Sequence, residues 1–298
     1  PVMMGGEGSS STIVDGQGLD RVLHIDHSGG WAYVYDLTIR NGNSSSDPAS
    51  AHGAGVAGHG GAVWIERCRI DDNTTENGHG GGVYQRQGTL VLADSTVIGN
   101  HAHGGSGLAV YLAVASVNNS TFAENYATDF NLIGTGGTVW LADSDSSILN
   151  STVADNNSRL AGQSAGIFIR GGETDIASCT LVNNDGDEIF SDPADPPSVL
   201  TLGNSVIVGS CNGLGITTVG GNVHGPQTDN TCQLSGFDLG GRAIALHPLG
   251  RYGGRTATMP PVAGPGSFHP AVDNPFADPL CPSYDQRGIL RPQPGHAG

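Results

Sequence analysis

Three histidines, His59, His79 and His103, each stand immediately before a pair of glycines. Stacked one per repeat, they would form a column at about 5 Å spacing, which suits imidazole stacking or a borderline metal such as zinc or copper. The column stops at Thr135, and no cysteine or carboxylate keeps the fixed offset needed to complete a tetrahedral set. Five aromatics, Trp64, Tyr84, Tyr111, Trp140 and Phe168, each follow an aliphatic residue: Val63, Val83, Val110, Val139 and Ile167. Strand side chains alternate faces, so aliphatics turned inward would leave the rings outward as one ladder. Such a ladder suits the apolar faces of sugars or another protein's surface. The competing reading is repeat consensus, with the rings roofed by neighbouring loops. Asp185, Asp187 and Glu188 lie in an acidic turn and could give oxygen ligands to calcium. The turn lacks the glycine at the sixth position of a helix-loop-helix calcium loop.

Hydrolytic chemistry needs two carboxylates set apart around a scissile bond. Asp71-Asp72 followed by Gly78-His79-Gly80 resembles parts of polygalacturonase motifs, but adjacent strand residues face opposite ways and the companion motifs are missing. A lyase of the pectate type needs clustered Asp for calcium beside a base. Arg67, Arg86 and Arg170 have no acidic cluster at a repeat-compatible offset. The expectation is a non-catalytic binding protein, with a polysaccharide lyase or hydrolase as the alternative and a filament subunit as a third reading.

The elements that must position these groups are repeats. Residues 55–184 reiterate an opening of small residues, an aliphatic and an aromatic. Each copy closes on Ser or Cys, an apolar residue and Asn, at Asn73, Asn100, Asn125, Asn156 and Asn184. The closing Asn residues are 27, 25, 31 and 28 apart, a solenoid period. No helical period appears and no copy could bury its apolar face alone, so stacked copies should pair strands in parallel around a Val/Ile/Leu interior. The predicted fold is all-β, a single right-handed parallel β-helix spanning 1–210, with core repeats at 55–184 and a last coil at 199–210. Residues 1–30 read as an N-terminal cap, 41–58 as a polar loop, 211–290 as a C-terminal cap over the open end, and 291–298 as a linker. The Asn ladder is expected to be structural, because Asn tolerates a left-handed turn and stacked amides satisfy one another.

Cys68 and Cys179 share one repeat position four copies apart, almost 20 Å at about 4.8 Å per coil, so they should be buried free thiols. Cys211 and Cys232 bracket a Gly-rich loop and should be bridged, leaving Cys281 over. A disulfide implies an oxidising compartment. The chain carries a net charge of −16 and has no lysine. It should repel nucleic acid and anionic lipid, and no apolar run is long enough to span a bilayer. It begins at Pro1 and reads as a mature or trimmed fragment, secreted or at a cell surface.

The Gly-Gly-x-Val-aromatic opening with its apolar-x-x-Asn closing resembles repeats of the polymorphic outer-membrane proteins and related bacterial β-helix surface proteins. The tail, through Gly253-Gly254-Arg255-Thr256-Ala257-Thr258 and the box Asp285-Gln286-Arg287-Gly288 with Arg291-Pro292, resembles the choice-of-anchor β-helix proteins. The resemblance implies a secreted or surface-tethered right-handed β-helix of the pectin-lyase-like kind and no established chemistry. The partners expected from the aromatic ladder are an extracellular glycan or a surface protein, and a one-dimensional solenoid allows self-association.

Overall fold

A computed structural model describes residues 2–27, 29–45, 51–128, 136–158, 165–193, 197–225, 231–262 and 283–290. The chain winds as a parallel solenoid, and each rung lays one strand on each of three faces. Face A holds nine described strands, from Val2–Gly5 through Trp31–Tyr35, Ala62–Glu66 and Thr89–Ala93 to Ile216–Gly220. Face B stacks three-residue strands, among them Thr38–Arg40, Arg69–Asp71, Thr96–Ile98, Thr121–Ala123 and Thr152–Ala154. Face C stacks Leu23–Asp26, Val56–His59, Val83–Arg86, Leu108–Tyr111, Val139–Ala142 and Ile167–Arg170. Faces B and C fuse near the C-terminal end, where Thr180–Ser191 and Val206–Gly213 run through the corner unbroken.

Two of the three corners are nearly invariant. The first rung's corners and the Ser191 to Val199 connection are longer, but in the central rungs two residues join face C to face A and two join face A to face B. The second kind is closed by a left-handed residue, at Asp36, Arg67, Asp94, Asn119, Asn150, Ser178 and Asn204. Asp and Asn tolerate that conformation through local hydrogen bonding. The next residue is buried, Leu37 after Asp36 and Ser or Cys in the later rungs. Ser120 Oγ donates to Asn118 O at 2.8 Å and accepts the N–H of Ser95 at 3.2 Å. Cys68 and Cys179 take the same place as buried free thiols. Burial pushes the Cys68 thiol up to about 11, so it stays protonated. Within the central rungs, from Val56 to Arg170, the variation in repeat length falls at the third corner, between faces B and C.

That corner begins with the Asn ladder. Asn73 Nδ2 donates to Asn100 Oδ1 at 2.9 Å, Asn100 to Asn125 at 3.0 Å, Asn125 to Asn156 at 3.0 Å and Asn156 to Asn184 at 2.7 Å. Each amide oxygen also accepts the backbone N–H of the Asn one rung below it in sequence order, as Asn125 Oδ1 does from Asn100 at 3.0 Å. These Asn residues are buried. The left-handed residue is the one before, at Asp72, Gly99, Glu124, Asp155 and Asn183. The ladder is structural as expected, but the backbone strain sits one position earlier. Inside, Ile39, Ile65, Ile70, Leu90, Leu92, Leu108, Phe122, Leu141, Ile167 and Ile169 fill the core with almost no exposure.

Both ends differ from expectation. Residues 1–30 are a full rung rather than a cap: Val2–Gly5, Ile13–Asp15 and Leu23–Asp26 pair in register with the strands above. The coil also continues past 210, through Ile216–Gly220 and Val223–Gly225. Residues 231–239 then close the end. Cys232 is bonded to Cys211 with Cα atoms 4.8 Å apart, Leu234 packs on the core, and Leu239 N–H donates to Asn222 O at 2.8 Å. The rest of the described tail runs back along the outside of face B. Met259 packs with Ala154 and Val182, beside Leu246 and Leu249. The Asp285-Gln286-Arg287-Gly288 box is a tight turn held by the Arg287–Asp285 ion pair at 2.5 Å. Gln286 projects from it, 2.7 Å from Thr152 Oγ1, 3.0 Å from Thr121 Oγ1 and 2.8 Å from Thr256 Oγ1. Cys281, Thr135 and the 291–298 tail lie outside the described residues.

Candidate aromatic binding face

The five aromatics read as one ladder belong to three columns. Register on face C places Tyr84, Ala109, Trp140, Phe168 and Phe190 in line. Tyr111 lies two positions along, next to Arg86, whose guanidinium stands 5.9 Å from the Tyr111 ring centre. Trp64 is on face A, paired between Tyr33 and Val91. The physical reason is the corner: Gly60-Gly61 leads into face A, whereas Gly81-Gly82 leads into face C. The aliphatic neighbours do point inward, but the face C rings are roofed. Tyr84, Trp140 and Phe168 are 4%, 7% and 6% exposed.

Histidines supply part of the roof. The ring of His52 stacks on Tyr84 at 4.6 Å, and that of His79 stacks on Trp140 at 4.7 Å. Gly104 and Ala109, on the rung between, leave space for the indole to lie against His79. His79 has His103 6.0 Å away, but its neighbour on the other side is His52, at 5.4 Å, rather than His59. His59 ends a face C strand and contacts His24 at 5.5 Å. The expected column of His59, His79 and His103 therefore does not form, and the imidazoles meet face to face rather than converging on a point. No group of three metal-ligating side chains with suitable geometry occurs among the described residues.

An open aromatic face exists elsewhere. On face A, Trp31, Tyr33 and Tyr35 alternate outward from Ala32 and Val34, and Trp64 alternates outward from Val63 and Ile65. Trp31 is 43% exposed and Trp64 49%. Tyr33 stacks on Tyr35 at 4.8 Å and meets Trp64 edge-on at 6.1 Å. Tyr35 lies over Gly5 of the adjoining strand, where an added Cβ would stand 2.2 Å from the ring, so glycine is what lets the ring lie flat. Glu66 accepts a hydrogen bond from the Tyr33 hydroxyl and pairs with Arg67, which also holds Asp36 through two contacts of 2.8 Å. The bond to Arg67 holds the Asp36 carboxyl below its usual range. The patch thus combines four rings on a sheet face with two carboxylates, Glu66 and Asp36, that share the single guanidinium of Arg67. Its signal was present in the sequence as Trp-Ala-Tyr-Val-Tyr, a strict alternation with small or aliphatic residues inward.

The model for the right-handed β-helix region matches residues 22–229, about two-thirds of the chain. The chain belongs to the right-handed β-helix family. No curated protein and no solved structure matches it.

Among the described residues, the acidic groups of this β-helix form no cluster of three metal-ligating side chains. Glu188 turns into the core and ends the Asn ladder, accepting the backbone N–H of Asn184 at 3.3 Å and its Nδ2 as well. Burial pushes its carboxyl up to about 8. Asp187 accepts from Ser210 Oγ at 2.6 Å, and the backbone N–H of Asp185 donates to Asn156 O at 2.9 Å. The expected calcium turn is an irregular part of the strand Thr180–Ser191, with left-handed Asn183 and Gly186, and Asp185, Asp187 and Glu188 do not form a group of metal-ligating side chains. Asp71 is buried and paired with Arg69 at 3.1 Å; burial raises its pKa. Asp72 occupies the left-handed turn and lines a polar recess of about 550 Å³ with Asp15, Asn41 and Thr74. The two carboxylates diverge as alternation requires.

Proposed function

We propose that this β-helix is an extracellular or cell-surface binding module that captures a neutral glycan on face A, through Trp31, Tyr33, Tyr35 and Trp64. The observation that carries the reading is the exposure of Trp31 and Trp64 on adjacent rungs of a sheet face. Among the described residues, the corners flanking Trp64 are two residues long and the one leading from Asp26 to Trp31 is four, and both rings stay exposed beside them. Flat rings stack on the apolar faces of pyranoses. Neutrality of the ligand follows from charge. In the patch two carboxylates share one arginine, and Asp145, Glu173 and Asp175 stand further along the same face of a chain with net charge −16, so a polyanion would be repelled. The Cys211–Cys232 bridge supports an oxidising compartment. The repeat and tail likeness to bacterial surface β-helix proteins supports display on a cell surface.

The test is size-exclusion chromatography with light scattering after mixing with neutral and acidic polysaccharides. Co-elution with an intact neutral polymer, lost in Trp31→Ala with Trp64→Ala, is the expected result. Shortening of the polymer would replace the binding reading with a polysaccharide-cleaving enzyme. Growth of the protein's own mass without ligand would replace it with self-assembly.

A further inference from the structure

His52 and His79 occupy equivalent positions on successive rungs, each followed by a left-handed glycine, Gly53 or Gly80. The backbone N–H of His79 donates to His52 Nδ1 at 2.9 Å, and the N–H of Gly53 donates to His79 O at 3.0 Å. The two rings are within 10° of parallel, and each covers one ring of the face C column. Accepting at Nδ1 requires the unprotonated nitrogen there. A proton on Nδ1 would set donor against donor and place a cation flat against a second imidazole. The groups around the stack would not offset that charge. Arg21 binds the His52 carbonyl at 2.9 Å; Arg86 and His59 face His52; His103 faces His79; His24 adjoins His59. The nearby carboxylate, Asp26, acts on His59.

We propose that the His52–His79 stack is an acid-sensitive clamp, whose ionisation frees the turns around residues 51–55 and 78–82 and bares Tyr84 and Trp140 on the side of the solenoid. Burial, followed by the neighbouring cations, lowers the pKa of His52; burial, followed by His52 and His103, lowers that of His79 to about 4. The folded form therefore favours neutral rings. The clamp's contribution to stability is complete above the ordinary histidine value of 6.5 and is lost as pH falls toward 4. Opening would convert a roofed aromatic column into an exposed apolar strip, separate from the face A platform.

The chain has three tryptophans, Trp31, Trp64 and Trp140, so Trp31→Phe with Trp64→Phe leaves Trp140 as the sole indole reporter. Acrylamide quenching of that variant should rise severalfold as pH is lowered from 7 to 4, with far-UV circular dichroism retained. Adding His52→Gln and His79→Gln should abolish the pH-dependent step. An indole equally protected at both pH values would overturn the clamp. So would an unchanged step in the glutamine variant, or loss of all β signal at one shared pH with and without the histidines.

Discussion

The molecule carries two groups of aromatic rings built by the same alternation and treated in opposite ways. On face C, Tyr84, Trp140, Phe168 and Phe190 are stacked and roofed. On face A, Trp31 and Trp64 stand open to solvent. Strand chemistry does not distinguish them, since both sets point away from the Val/Ile/Leu interior. The corners do. Face C is reached through the long, variable connection from face B, which has room to fold histidines back over the rings. Face A is mostly entered and left through two-residue turns, and the four-residue entry to Trp31–Tyr35 still leaves Trp31 43% exposed. In this solenoid, a ring beside a long corner that carries histidines becomes core, and a ring beside a short corner stays at the surface.

The comparison is broken most directly at the tryptophans. Trp140→Ala should cost about 3–5 kcal/mol, as for a buried aromatic, and should leave glycan capture to whatever protein remains folded. Trp64→Ala should change stability by no more than about 0.5 kcal/mol yet remove capture. Urea unfolding beside co-elution separates the two; equal losses of stability would undo the distinction. Next in size is Ala109→Phe. It fills the gap that Trp140 uses and should cost about 1–3 kcal/mol by overpacking, again measured by urea. The pH profile gives a third test. Glu188 keeps a proton in the folded state that the unfolded chain has already released, so its contribution declines as pH rises from 4.5 to about 8 and is flat beyond. Glu188→Gln should remove that slope from thermal melts, while Trp31→Ala should leave it intact. The smallest effect is Arg67→Ala, about 0.5–1 kcal/mol for a partly exposed network, accompanied by weaker capture as Tyr33 and Glu66 lose their common partner.

The solenoid was legible because its cause is periodic. Aliphatic pairs, a buried Ser or Cys and an inward Asn recur in the repeats, and the free thiols followed from that spacing, whereas the disulfide followed from the Gly-rich loop that Cys211 and Cys232 bracket. The register of the aromatics was not legible. Gly60-Gly61-Ala62-Val63-Trp64 and Gly81-Gly82-Val83-Tyr84 are nearly the same text at different corners, and only the two-residue turns tell them apart. The phrase match also misplaced Tyr111 by two residues and set His59 where His52 belongs. The open platform was hidden for the converse reason: three of its four rings, in Trp31–Tyr35, precede the repeats, and only Trp64 lies within them. The tail's path was out of reach, because Gln286 meets Ser120 across 166 residues with no periodic signal to announce it.

Gln286 also decides how the molecule would bear load. The turn that carries it is fastened to the middle rungs, at Ser120, Thr121 and Thr152, and not to the last coil. Tension applied beyond residue 290 would reach the solenoid from its flank and pull several hydrogen bonds in shear at once. The terminal coil would be spared from peeling rung by rung, and the parallel stack would be held by its waist.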